Sequence, residues 1–103
     1  MWLVATPTAW KMRNKKFKDD LNTAVFCLRQ IVFEGHPILI VSHDRDGDWQ
    51  FLNPNIPTSE ANGCLVGLDE IIDHDPTVVE VADLPVGKRA TRRDSTSQWE
   101  VEI

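Results

Sequence analysis

The sequence has no apolar run approaching about 18 residues, so no segment is expected to span a membrane. No positive residue precedes the short apolar stretch at its N-terminus, which argues against a secretory signal. A cytoplasmic location is the resulting expectation. The chain has no repeat, no low-complexity tract and no CxxC, P-loop, GxGxxG, HExxH or GxSxG. The cofactor and catalytic classes that rest on those motifs therefore have no support here. Cysteine is scarce. Cys27 and Cys64 stand far apart in sequence, and two reduced thiols are expected in a cytosolic chain. His36, His43 and His74 do not fall at metal-ligand spacing with them. No catalytic residue, cofactor or metal ion is assigned from the sequence.

Cations are also scarce where they would be expected. Between Glu34 and Asp83 the one basic residue is Arg45, against eleven acids, a local balance of −10. Nine of the eleven Lys and Arg residues lie in two clusters, at 11–18 and 88–93. The overall charge of −5 is thus a sum over opposed segments. A field this uneven steers a basic partner toward the acidic segment. The plainer alternative is solvated faces, with the acids paired to the two basic clusters. Nucleic acid is not expected as a partner, because the chain is acidic overall and no aromatics interleave the basic clusters.

What is present suits one small domain. The 103 residues are 42% hydrophobic, enough for one core and too short for two. The basic segment 1–23 is read as peripheral to a core at 24–103, docking through Trp2, Trp10 or Phe17. Ala24–Leu28 reads as a strand, and Arg29–Glu34 as a helical turn stopped by Gly35. Ile38–Ser42 is a continuous β-branched run expected to be a buried strand. Asp46-Gly47, between that run and Trp49–Leu52, signals a hairpin of antiparallel neighbours. Trp49 and Phe51 then share one face.

Asn53–Gly63 reads as a long loop and Cys64–Val66 as a short strand. Leu68, Ile71 and Ile72 form an apolar helical stripe with Gly67 as its N-cap. Asp75-Pro76 opens a second short helix, with Asp75 as cap and Val78, Val79 and Ala82 inward. Strands are expected around 89–92 and 98–103, with Trp99, Val101 and Ile103 facing one way. Together these elements predict an α+β fold, an antiparallel sheet of four to six strands with two short helices on one face.

Three clusters invite chemistry. Asp44-Arg45-Asp46-Gly47-Asp48 looks like a calcium loop, but its Gly is misplaced and the Glu at position 12 is missing. A hairpin explains the same residues. His43 beside Asp44, and His74 between Asp73 and Asp75, are candidate general bases. Their only obvious nucleophiles are the cysteines, and Cys27 in an apolar strand is expected to be inert. Lys88, Arg89, Arg92 and Arg93 are suited to a phosphate or carboxylate, or to guarding a sheet edge.

The stretch Pro37-Ile-Leu-Ile-Val-Ser-His-Asp-Arg-Asp-Gly-Asp-Trp-Gln-Phe-Leu52 carries a HDxDGDWQFL pattern. Leu68-Asp-Glu-Ile-Ile72, Asp75-Pro76, Ala82-Asp-Leu-Pro-Val-Gly87 and Trp99 follow it. This succession, over about residues 24–99, resembles a family of small uncharacterised bacterial proteins. More remotely it is similar to immunity-protein-like domains of polymorphic toxin systems. The resemblance implies a bacterial α+β protein without an assigned enzymatic activity, and it carries no catalytic residues.

Three functions compete on this reading. The first is a non-enzymatic, immunity-like protein-binding module, with Asp44, Asp46, Asp48, Asp69, Glu70 and Asp73 presented to a basic protein such as a toxin domain. The second is a small enzyme or ligand-binding domain using His43 and Asp44, with Cys64 as a further candidate, in a pocket. The third is an oligomeric accessory protein with Trp2, Trp10 or Trp99 at its interface.

Overall fold

The computed structural model describes residues 15–102. Any docking by Trp2 and Trp10, and the orientation of Ile103, lie outside them. Within them the chain runs β1 (Ala24–Leu28), α1 (Arg29–Glu34), β2 (Ile40–His43), β3 (Trp49–Leu52), β4 (Gly63–Gly67) and α2 (Leu68–His74). A 3₁₀ helix (Pro76–Val81), β5 (Lys88–Thr91) and β6 (Glu100–Val101) follow. The protein is a small α+β domain built on one open six-stranded sheet, ordered β4-β1-β3-β2-β5-β6.

Four of the five strand pairs are antiparallel; β1 and β3 are parallel. That pair departs from a purely antiparallel sheet, and the hairpin is the reason. β2 and β3 pair with each other, and β3 rather than β2 lies against β1. The hairpin itself has a three-residue loop. Asp44 N–H donates to Asp48 O and Gly47 N–H to Asp44 O, both at 2.8 Å, and Gly47 sits at φ 89°. This is the turn-plus-bulge loop that needs a residue with positive φ at its third position. The Asp-Gly pair therefore fills the last two loop positions.

Local sequence explains the helices. α1 ends where Gly35 turns left-handed at φ 77° and donates to the Gln30 carbonyl. α2 starts at Gly67, has Asp69 and Glu70 in its first turn, and buries Leu68 and Ile71. Pro76 cannot continue it, and Asp75 caps the next segment by accepting from Thr77 N–H at 3.0 Å. That segment is a 3₁₀ helix burying Val78 and Val81.

The period of two sorts the strands. Val25, Cys27, Val41, Trp49, Phe51 and Ala90 are buried and share one core with Leu68, Ile71, Val78, Val81 and Ala82. α2 and the 3₁₀ helix thus cover one face of the sheet. Full burial of Trp49 and Phe51 contributes about 2–3 kcal/mol each.

Of the basic segment, residues 15–23 are described, and they dock through Phe17. Phe17 is buried, its ring edge-on to Trp49 at 4.9 Å and to Phe51 at 6.5 Å. Lys15 Nζ donates to the Glu80 carbonyl at 3.0 Å and meets Asp83 at 3.2 Å. These residues complete the core layer over β3.

Candidate functional site

Register puts the acidic segment on one end of the sheet. The β2–β3 hairpin loop lies there by construction. Because β1 runs parallel to β3, its start at Ala24 lies at the same end, and Gly67 pairs with Ala24. The first turn of α2, with Asp69 and Glu70, therefore begins at the hairpin end. Leu68 N–H and Asp69 N–H hold this turn to the carbonyls of Thr23 and Leu21, each at 2.9 Å.

The six acids singled out from the sequence divide here. Asp46, Asp48 and Glu70 are exposed and make no ion pair with a described residue. Asp69 is exposed too, with one oxygen accepting the Glu70 N–H at 2.9 Å. Asp44 is occupied internally. Its two oxygens accept from Ser42 Oγ at 3.2 Å and Gln50 Nε2 at 2.9 Å. Asp73 is exposed but sits one turn further along α2, about 6 Å from Asp69 toward the far end. Among the described residues the Lys and Arg ion pairs are Lys15–Asp83 and Arg92–Asp75. Arg45 and Lys88 are the cations nearest the hairpin acids by chain and register.

His43 and Asp44 do not form a common site. His43 lies flat on Trp49, with centroids 3.8 Å apart and planes 9° apart. Its Nδ1 is 2.7 Å from the Leu84 carbonyl. A carbonyl only accepts, so Nδ1 carries the hydrogen and Nε2 is the acceptor of the neutral ring. Asp44 turns instead to Ser42 and Gln50. His43 does line a cleft of about 290 Å³ with Trp49, Lys18, Asp19 and the 82–86 segment; Asp44 is not part of it. Asp19 holds the wall by accepting from the Trp49 indole N–H at 3.1 Å. The contributions of Lys18 and Asp19 carried no signal in the sequence, where the segment read as a charged loop.

The basic C-terminal cluster is also split. Lys88, Arg89 and Arg93 are exposed, whereas Arg92 is buried at the far end of the sheet. Its guanidinium meets Asp75 at 2.5 Å, and it donates to Ile38 O at 3.0 Å and Thr77 Oγ1 at 2.9 Å. Trp99 stacks on it, the ring centroid 4.1 Å from Cζ, and its indole donates to Thr77 O at 3.3 Å. This arrangement locks the start of the 3₁₀ helix to β5. It leaves Arg92 little capacity for a phosphate. Trp99 faces this cation, while Val101 is exposed.

Both thiols are free. Burial, with Cys64 adding to it, pushes the Cys27 thiol up to about 12. Burial also raises Cys64, offset by Arg29 and reinforced by Glu70. Neither is an activated nucleophile. Among the described residues no group of three His, Cys, Asp or Glu side chains is placed to hold a metal ion. No helix among them is long and apolar enough to cross a membrane.

Comparison with protein-family models, with curated proteins and with solved structures found no match.

Proposed function

We propose that the protein is a non-enzymatic binding module whose hairpin end engages a basic protein partner. The carrying observation is the set Asp46, Asp48 and Glu70, exposed, free of ion pairs with described residues, and held on backbone at one end of the sheet. Carboxylates arranged in this way attract a cationic surface and raise its association rate. The hairpin and the start of α2 are pinned by backbone hydrogen bonds, so little ordering is needed on binding.

The specific form of the proposal is an immunity-like role in a bacterial cytoplasm, with the acidic end occupying the cationic site of a toxin domain. The HDxDGDWQFL and DLPxG patterns support that form. The thiols support a binding role over covalent catalysis, since burial raises both above the ordinary thiol value.

The test is paired affinity capture with the unaltered protein and with Asp46→Asn/Asp48→Asn/Glu70→Gln. A basic protein recovered with the first and depleted with the second is the expected result. For that protein the neutralised variant should slow association more than dissociation, and added salt should narrow the difference. Identical captured sets, or unchanged rates, overturn the proposal.

A further inference from the structure

The two edges of the sheet differ in their defences. β6 is two residues long and is flanked by charge, reading Glu100-Val101-Glu102. β4 reads Gly-Cys-Leu-Val-Gly, without a charge or a proline, and among the described residues its only strand neighbour is β1. Short charged edges resist pairing; an uncharged edge invites it.

The register shows which backbone groups of β4 are open. Arg29 N–H donates to Asn62 O at 2.7 Å, and Leu68 N–H to Thr23 O at 2.9 Å. Both bonds fall on the register that pairs Cys27 with Cys64 and Val25 with Val66. Antiparallel bonding alternates along a strand. The amide groups of Cys64 and Val66 therefore face β1, and those of Gly63, Leu65 and Gly67 face outward. Two of the outward groups are already engaged. Gly63 N–H donates to the Glu60 carbonyl at 3.3 Å. Gly67, as N-cap, turns its carbonyl into the first bond of α2. Four remain without a partner among the described residues: Leu65 N–H and C=O, Gly67 N–H and Gly63 C=O.

That set is self-complementary about Leu65. In an antiparallel pair related by a two-fold axis at Leu65, each Leu65 exchanges N–H and C=O with the other. Each Gly67 N–H meets the Gly63 carbonyl of the second copy. The two groups already engaged, Gly63 N–H and Gly67 C=O, would face one another and need no bond. All open groups are satisfied and none is left over.

Side chains and charge follow the same symmetry. Leu65 is 72% exposed and lies opposite Phe26 in the β1–β4 register. The Phe26 ring lies over Gly63, where a Cβ would come within 2.5 Å of it. A two-fold axis at Leu65 sets Phe26, Leu65 and their counterparts in one apolar row. Arg29 follows β1 beside the Gly63 end, and Glu70 follows the Gly67 end of the strand. The axis brings each Arg29 toward the Glu70 of the other copy.

We propose that β4 is a homodimerisation edge, pairing antiparallel with β4 of a second copy about Leu65 to give a continuous twelve-stranded sheet. The interface is isologous and closes at two copies.

The experiment is sedimentation of the full chain from low to high micromolar concentration. A monomer–dimer equilibrium is expected, weakened by more than about tenfold in Leu65→Lys, which sets two ammonium groups against each other at the axis. Circular dichroism should be unchanged by that substitution, because Leu65 is exposed. A second variant checks the register and decides the matter if Leu65→Lys does not fold. Val66→Cys places a thiol opposite Cys64 of the second copy in a non-hydrogen-bonded pair, where Cα atoms lie about 4.5 Å apart, within disulfide reach. Mild oxidation should then give a covalent dimer. A chain that stays monomeric at every concentration overturns the proposal. So does a dimer indifferent to Leu65→Lys, a Val66→Cys variant that does not cross-link, or open-ended growth, which would mean β4 pairing head-to-tail with β6.

Discussion

At the far end of the sheet Arg92 and Asp75 are held together away from water, whereas at the hairpin end Asp46, Asp48 and Glu70 are exposed, with no ion pair to a described residue. Both ends draw on the same residue types. The difference lies in what desolvation requires. A guanidinium with 1% of its side chain exposed needs its donors matched, and Ile38, Thr77 and Asp75 match them. A carboxylate on a hairpin loop has water as its partner and remains available to another molecule. Charge at the far end is matched inside the fold; charge at the hairpin end is left to solvent among the described residues.

The contrast breaks most directly at Asp75. Asp75→Ala leaves the Arg92 guanidinium buried and uncompensated, and should cost about 3–5 kcal/mol in chemical denaturation. Asp48→Asn at the other end should change stability by no more than about 0.5 kcal/mol in the same measurement. Equal costs at the two sites would end the distinction.

A smaller effect is common to both ends. Gly47 in the hairpin and Gly35 after α1 have positive φ, and a Cβ at either meets nothing within 4 Å. Gly47→Ala and Gly35→Ala should each cost about 1–2 kcal/mol, from backbone conformation alone. If Gly47→Ala proves neutral by denaturation, the loop that presents Asp46 and Asp48 is not held in its turn by conformation.

The smallest effect is on pH dependence in the far-end loop. Hydrogen bonds from the Thr96 side chain and backbone, and from Ser97, hold the Asp94 carboxyl below its ordinary value. A carboxylate with a lowered folded value stabilises the protein above the ordinary value, and that contribution disappears as pH falls through the lowered one. The stability difference between the protein and Asp94→Asn should therefore shrink in acid. A difference that stays constant from neutral pH into acid would show that the Asp94 charge has no such role.

Much of the architecture was legible along the chain. The β1 and hairpin strands, the Gly35 stop, the Gly67 start, the Asp75-Pro76 cap and the shared burial of Trp49 and Phe51 all depend on residues within a few positions of one another. The acidic surplus was legible too. Its division was not. Asp44 reads like Asp46 and Asp48, but alone of the three its oxygens are engaged by Ser42 and Gln50. Nothing in the spacing announced Phe17 over Trp49 or Asp19 on the indole, since those contacts join distant segments.

The sequence by itself determined roughly where most strands and helices lie, that Trp49 and Phe51 turn inward together, and that the middle of the chain carries a large excess of negative charge. Those features follow from short-range sterics, turn conformation and composition. Tertiary structure alone decided that β3 lies between β1 and β2, that Arg92 is buried against Asp75 while its cationic neighbours are exposed, and that β4 is left with an open edge. Such outcomes depend on which distant segments exclude water together, and no local pattern encodes that choice.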